Sequence, residues 1–389
     1  MPYAEGRIFY DADSHIMEPL DWLAGYADPA IRDDIPELPL GGAGKFAEQA
    51  VRDAANRRGD AEASTTARAR LEGDVMHDKG WGALGAFDPE ERVRALDLLG
   101  FHKQLVFSTF APAQYARASD PDLLYGGARA HNRGMVDFCS VDDRLVAVAA
   151  LPLDDPARAV EELDRTLAEG AGAVLVNSVP PKTHSVTHTD LDPVWARLAE
   201  AGIPFMLHIG GGGRLVRPAF ALNGRGRPTD WLGGGENIRS MDYMGISHPC
   251  EMFLSAMIFD GVFEQHPRLR GGVIEQGALW VVPFLKKLDM AQQFFRKSDP
   301  ALANLALKPS EYLRRQVRVT PFPGEPIGWL MEEAGEELFL FSSDYPHLEG
   351  GRDPVRKFEE TMEGVSPEAK DRFYSANFAD MMCYASVNA

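Results

Sequence analysis

Eight short apolar runs, separated by longer segments with helical character, constrain this chain more than any other feature. Most of the runs are continuously apolar and do not alternate with polar residues, which is typical of strands covered on both faces of a parallel sheet. Eight such strands alternating with helices favour an α/β protein of the (β/α)8 TIM-barrel type over an open doubly wound sheet. The runs are 7–11, 104–108, 145–151, 173–177, 204–208, 273–275, 317–320 and 338–342.

Helix-start signals occur between the runs. Asp88, Asp155 and Asp192 each precede a proline. An aspartate can cap the free N–H groups of a first turn, and a proline fits the first helical position. Gly170 and Gly202 stand where C-terminal glycines are expected. These signals predict helices that begin near the three aspartates.

Two segments exceed what a simple barrel needs. Residues about 24–87 and about 210–247 each follow a predicted strand, so we expect one barrel domain over 1–389 with both insertions above its C-terminal mouth. Arg214 and Arg217 lie in the second insertion and are candidates for binding a substrate carboxylate. Solvated surface arginines are the alternative interpretation.

Charge and cysteine content limit the partners and the compartment. The chain has 389 residues and a formal net charge of −18, from 40 basic and 58 acidic side chains. This excess argues against binding to nucleic acid or to an anionic membrane. Three cysteines argue against a disulfide framework, and no apolar run reaches the ~18 residues of a membrane span. We therefore expect a cytoplasmic protein.

Four potential metal ligands stand at the ends of predicted strands. Asp13 and His15 stand at the end of the first strand, His208 ends the fifth, and Asp344 ends the eighth. Alternate residues of a strand share one face, so Asp13 and His15 can converge on one point. Together the four predict a divalent-metal site at the rim of the barrel. The alternative is that each residue merely caps a neighbouring helix.

The same residues resemble a known family. Asp11, Asp13 and His15 are similar to the opening D-x-H-x-H or D-x-E-x-H motif of the second amidohydrolase family, which includes metal-dependent decarboxylases. His208 matches its metal-binding histidine after strand five, and 343–347 match its S-D-x-P-H-like close. The resemblance extends from Asp11 to about Asn377. It implies one divalent ion, with zinc favoured over manganese or iron, a small carboxylic acid substrate and a homodimer.

Two departures from the family pattern bear on catalysis. Asp13 stands where most members have histidine or glutamate, which makes the site harder and weakens the case for zinc. Glu275 stands where the family's decarboxylases end strand six with a histidine. It is a candidate acid or base, or a carboxylate that orients another group. His248 could replace the missing histidine, and His347 could contact substrate or cap a loop.

Three functions remain open on this pattern. The first is a metal-dependent carboxy-lyase acting on a small unsaturated or aromatic acid, with Asp344, His248 or Glu275 supplying a proton. The second uses the same site to hydrolyse a lactone, ester, amide or C–C bond, with Asp344 taking a proton from water. The third is a non-catalytic binding barrel, suggested by carboxylates at two positions where the family carries other residues.

Overall fold

A computed structural model describes residues 2–38, 40, 43–59, 69–210, 216–226 and 238–384. The chain divides into two compact units. The first comprises Met1–Pro152, Glu161–Ala173 and Ser342–Arg356, and the second comprises Leu153–Val160, Val174–Phe341 and Lys357–Ala389.

Parallel strands form the centre of each unit. In the first unit β1 (Tyr10–Ile16) pairs with β2 (Lys103–Ser108), and β2 pairs with β3 (Leu145–Ala150). In the second unit β4 (Ala173–Leu175), β5 (Phe205–His208), β6 (Gly271–Ile274) and β7 (Val317–Val319) pair in the same sequential way. The strands are almost entirely buried, as their continuous apolar composition predicts.

The eighth predicted strand, 338–342, does not form a ladder. Its backbone makes one parallel bridge between Phe339 and Val319 in the second unit, and Tyr345 makes another with Ser14 in the first. Between these bridges, the Leu340 N–H donates to the Val319 carbonyl, as in a parallel ladder, but Phe341 donates to the carbonyl of Phe373 and Ser343 to the Asp11 carboxylate. The segment is extended, but its pairing consists of isolated bridges and not of a continuous ladder.

Helices follow the strands throughout. They are α1 (Trp22–Tyr26), α2 (Gly44–Gly59), α3 (Pro89–Leu99), α4 (Pro112–Tyr115), α5 (Pro121–Cys139), α6 (Pro156–Glu169), α7 (Asp192–Ala201), α8 (Ser240–Gly245), α9 (His248–Phe259), α10 (Val262–Gln265), α11 (Val281–Phe295), α12 (Pro300–Asn304), α13 (Pro309–Gln316), α14 (Ile327–Ala334), α15 (Pro354–Thr361), α16 (Pro367–Asp371) and α17 (Asn377–Met381). Within the described residues, none of the helices combines the length and apolarity needed to cross a membrane.

Two of the three predicted aspartate caps are confirmed. The Asp88 carboxylate accepts hydrogen bonds from the N–H groups of Glu90 and Glu91, and Asp155 accepts one from Ala157. The prediction for Asp192 was wrong, because this residue is already the first residue of α7 and Leu191 occupies the cap position. A 3₁₀ turn that leads directly into α7 leaves no extended residue there to act as a cap.

Helix α5 packs closely on α1 and α4 because it carries glycine where these helices meet it. A Cβ on Gly134 would lie 2.4 Å from Cζ2 of Trp22 and 2.9 Å from Cδ2 of Tyr26. A Cβ on Gly127 would lie 2.3 Å from Cβ of Tyr115. The glycines therefore allow this apolar cluster to close against the helix.

A buried carboxylate joins β1 to the segment before Asp344. Oδ1 of Asp11 accepts the Ser343 N–H at 2.8 Å, and Oδ2 accepts the Ser343 hydroxyl at 2.6 Å and Nε2 of Gln104 at 2.8 Å. Arg92 donates to the Gln104 amide oxygen at 3.1 Å, which fixes the orientation of the amide. Burial raises the pKa of Asp11 to about 7, against the effect of these hydrogen bonds.

We expect Asp11→Asn to destabilise the protein by roughly 1–3 kcal/mol, because an amide NH2 would oppose buried donors. Urea unfolding followed by circular dichroism measures the change. Asp33→Asn, in an exposed 3₁₀ turn, is the control. An Asp11→Asn protein as stable as the control would contradict a bracing role.

We expect Gly134→Ala to cost roughly 1–3 kcal/mol through overpacking against Trp22 and Tyr26. Gly25→Ala is the matched control in α1, since a Cβ there meets nothing within 4 Å. The control should be neutral or gain up to about 1 kcal/mol from helix propensity. Thermal unfolding of both variants measures the difference, and equal melting temperatures would disprove the close contact.

Candidate metal centre

Strand β1 carries two candidate ligands on one face. Asp13 and His15 both lie near the carboxyl end of the strand, as predicted, and β1 extends to Ile16, beyond the apolar run 7–11. Both side chains are 1% exposed, and Nε2 of His15 lies 3.2 Å from Oδ1 of Asp13. The two-residue spacing therefore brings an imidazole and a carboxylate together, as predicted.

The hydrogen bond on the other ring nitrogen determines the state of His15. Its Nδ1 lies 3.3 Å from the carbonyl oxygen of Ser108 at the end of β2. A carbonyl only accepts, so Nδ1 carries a proton, and Nε2 is directed at the carboxylates. This arrangement, with one imidazole nitrogen held by a carbonyl and the other directed at anionic oxygens, is typical of metal-binding histidines.

Asp344 approaches the same histidine from the eighth segment. Its Oδ1 lies 3.7 Å from Nε2 of His15, and its N–H donates to the Asp13 carbonyl at 2.9 Å. Asp344 has a φ of 51°, a left-handed conformation that is unusual for a non-glycine residue. Gly350 allows this turn, because a Cβ there would lie 2.2 Å from the Ser343 carbonyl oxygen.

His347 is fully buried behind these residues. Its ring stacks on His15 with centroids 3.9 Å apart, and its Nδ1 lies 3.0 Å from Oδ1 of Asp344. Its Nε2 lies 2.9 Å from the Thr109 hydroxyl. His347 is thus placed to support His15 and Asp344 more directly than to meet a substrate. His15, Asp344 and His347 each offer a ligand atom within 4.8 Å of the others.

In the second unit, His208 and Glu275 form a similar pair. His208 ends β5, as predicted, and Glu275 directly follows β6, whose last residue pairs with His208. Nδ1 of His208 lies 2.9 Å from the Ile209 carbonyl oxygen, and its Nε2 lies 3.5 Å from Oε2 of Glu275. Glu275, like Asp344, has a left-handed backbone, with a φ of 54°. Both side chains are buried.

The other predicted site residues are placed differently. His248 is the first residue of α9, and its side chain is exposed. Arg217 is also exposed, before a short 3₁₀ turn. Arg214 lies outside the described residues.

Lys79 is a basic residue near this centre that the sequence does not indicate. Its ammonium nitrogen is buried, 5.6 Å from the centroid of the Tyr345 ring. Burial lowers the pKa of Lys79 to about 8, and the charges of Asp344 and Asp11 oppose this shift. A single lysine before Gly80-Trp-Gly82 belongs to no ligand-spacing motif, so the sequence offered no signal for it.

The donor sets suit a divalent cation. The imidazoles in both units direct Nε2 at carboxylate oxygens 3.2–3.7 Å away. In each unit, a cation between these atoms would accept lone pairs from both nitrogen and oxygen. Mixed nitrogen and oxygen ligands of this kind are compatible with zinc, manganese or iron.

Curated relatives with similar sequences are gamma-resorcylate decarboxylases. The chain is 27% identical to the one from Rhizobium sp. strain MTP-10005 over 46% of this chain, and spans about half of that protein, 53% of its length. It is 24% identical to the one from Rhodococcus jostii strain RHA1, covering 70% of this chain and 84% of that protein.

Solved structures show the same fold over almost the whole chain. An amidohydrolase from Mycobacterium avium subsp. paratuberculosis K-10 matches with a TM-score of 0.71 and 24% identity, covering 97% of this chain and 100% of that one. A 5-carboxyvanillate decarboxylase from Novosphingobium aromaticivorans, complexed with manganese and a nitrobenzoic acid, matches with a TM-score of 0.63 and 20% identity, covering 98% and 97%. These similarities confirm the predicted α/β TIM-barrel class.

The family profile described as Amidohydrolase, Amidohydro_2, matches residues 10–380. That match runs from the first strand of the barrel, with Asp13 and His15, past Asp344 and His347 to the last helix. The chain therefore belongs to the second amidohydrolase family.

Proposed function

We propose that this protein is a divalent-metal-dependent decarboxylase of a small unsaturated or aromatic carboxylic acid. One observation carries the proposal. His15 and His208 both use Nδ1 to bind a backbone carbonyl and both direct Nε2 at a carboxylate oxygen. Such preorganised nitrogens, in a family whose curated relatives include gamma-resorcylate decarboxylases, support a metal-dependent reaction on a carboxylic acid.

The metal ligands that we propose are Asp13, His15, His208 and Asp344. Asp13, His15 and Asp344 lie together within the first unit. We include His208 because it matches the metal-binding histidine of the family pattern. Glu275 lies beside it. The bound ion would act as a Lewis acid that polarises the substrate carboxylate and an adjacent oxygen.

We also propose which ion binds at this site. Two aspartates among four ligands favour a harder ion than a site rich in histidine or cysteine would. Two structural neighbours, a 5-carboxyvanillate and a dihydroxybenzoic acid decarboxylase, hold manganese. Manganese is therefore a stronger candidate than the sequence alone suggested, with zinc and iron as alternatives.

The reaction requires a proton at the carbon that carries the carboxylate. Protonation forms a C–H bond, the C–C bond then breaks with its electron pair retained by the organic product, and CO2 leaves. Of the candidate donors, Glu275 has the best position, because it is buried beside His208 whereas the His248 side chain is exposed. Asp344 contacts His347, which favours a ligand role. His347 would then position Asp344.

The two insertions also have roles in our proposal. Arg214 and Arg217 would bind the substrate's anionic groups from the insertion at about 210–247. The insertion at about 24–87 would cover the mouth of a single barrel domain, consistent with the hydrogen bond from the Gly80 N–H to the Pro346 carbonyl. We also propose that the protein is cytoplasmic, in accord with its three free cysteines, and that it forms a homodimer, as the family resemblance implies. Light scattering on the purified protein tests the dimer.

We expect Asp344→Asn to lower decarboxylation by at least about 100-fold and to reduce bound metal, because even residues behind metal ligands contribute 10- to 100-fold. Elemental analysis and CO2 release measure the two effects on protein purified without chelator. Asp34→Asn, in an exposed turn, is the matched control. Full activity in Asp344→Asn would disprove the proposed site.

We expect 2,6-dihydroxybenzoate, or a related hydroxylated benzoate, to release CO2 and to gain one deuterium from D2O at the decarboxylated carbon. Mass spectrometry of the product in D2O and in H2(18)O separates this reaction from hydrolysis. Solvent 18O in the organic product, without CO2 release, would instead support hydrolysis of a lactone, ester, amide or C–C bond, which the family name Amidohydrolase keeps as the second candidate.

A further inference from the structure

The ammonium of Lys79 lies in an energetically costly environment. Its Nζ is shielded from solvent and has no hydrogen-bond partner in the part of the chain that the structure describes. A buried charged donor without an acceptor loses the hydration that it had in the unfolded chain. If the Lys79 ammonium had no binding role, the folded protein would be more stable with this side chain extended into solvent. Its burial therefore requires an explanation.

The backbone around Lys79 is held at the carboxyl end of β1. The N–H of Gly80 donates to the Pro346 carbonyl at 2.8 Å. The indole N–H of Trp81 donates to the Glu18 carbonyl at 3.2 Å, and the Met17 N–H donates to the Ala86 carbonyl at 2.7 Å. These bonds fix the start of the Lys79 side chain beside the Asp344 segment, so its position does not depend on a free loop.

The acidic groups around Lys79 already interact with other residues. Asp11 and Asp344 are the main attractive charges acting on it, with a smaller attraction from Glu349 and a repulsion from Arg352. The Asp11 oxygens accept hydrogen bonds from Ser343 and Gln104. Asp344 contacts His15 and His347. If Asp344 binds a cation, Lys79 loses its main counter-charge.

We propose that Lys79 binds an anionic carboxylate oxygen of the substrate next to Asp344. The inference rests on the proposed function, because it takes Asp344 as a metal ligand and a carboxylic acid as the substrate. The anion supplies the acceptor that the ammonium otherwise lacks, and a charge-assisted hydrogen bond forms where water is excluded.

This role makes Lys79 a specificity-determining residue. A neutral analogue of the same shape would leave the buried ammonium without an acceptor, whereas an acid would satisfy it. Sites with buried polar groups discriminate strongly against ligands that leave those groups unpaired. The protein should therefore prefer a hydroxybenzoate over the corresponding benzamide, and Lys79 should account for much of that preference.

Calorimetry on the metal-loaded protein tests this with 2,6-dihydroxybenzoate and 2,6-dihydroxybenzamide as probes. We expect Lys79→Met to weaken benzoate binding by about 10- to 100-fold and to leave benzamide binding unchanged. Lys79→Arg should retain most of the benzoate affinity. Lys286→Met, on the exposed face of α11, is the matched control.

Two further readouts separate binding from structure. Bound metal should be the same in Lys79→Met as in the native protein, and the melting temperature without ligand should be equal or higher, because an unpartnered buried charge is removed. A large fall in melting temperature or in bound metal would show a structural lysine and overturn the proposal. Unchanged benzoate affinity in Lys79→Met, or no benzoate binding by the native protein, would also overturn it.

The proposed function fails in a different way. If the native protein binds benzoate in a Lys79-dependent manner but releases no CO2, the anion site stands and decarboxylation is rejected. If CO2 is released at the native rate by Lys79→Met, decarboxylation stands and the role of Lys79 is rejected.

Discussion

The buried carboxylate of Asp11 is the constraint on which the candidate site depends. It lies in β1 and binds both the N–H and the hydroxyl of Ser343, a residue far away in the sequence. Asp13 and His15 are held in the same strand, and Asp344 follows Ser343 directly. The interaction therefore sets the distance between candidate ligands from opposite ends of the chain. Gln104 and Arg92 extend the network and keep Asp11 from turning towards water or a metal.

Backbone strain occurs at two residues of the candidate site, Glu275 and Asp344. Among the described residues, only Glu275, Asp344 and Cys383 have a positive φ without being glycine. This conformation costs of order 1 kcal/mol at each residue. At Asp344 the Asp13 carbonyl and the close approach of Gly350 hold the turn, and at Glu275 the Thr320 hydroxyl accepts the N–H. Such strain persists where the surrounding structure determines it, commonly at functional sites.

The sequence predicted the parts of the structure that follow periodic rules. Seven of the apolar runs coincide wholly or partly with strands, and the two-residue spacing of Asp13 and His15 brings their side chains together. His208 is the last residue of both the apolar run 204–208 and the observed strand β5.

The rest depends on contacts that no local pattern encodes. The eighth run has strand composition, yet Asp11 and Phe373 take up backbone groups that a ladder would use. His347 follows Asp344 by three residues, but only packing decides that its ring stacks on His15. Lys79 lies in an insertion without periodicity, and its burial follows from hydrogen bonds to distant backbone groups.

Anomalous diffraction from crystals of the manganese-loaded protein tests the central claim most directly. We expect one ion bound by Nε2 of both His15 and His208 and by carboxylate oxygens of Asp13 and Asp344, with metal–nitrogen distances of about 2.0–2.3 Å. Both Nδ1 atoms should still donate to the carbonyls of Ser108 and Ile209. An ion coordinated by Nδ1, or bound away from these residues, would contradict this claim.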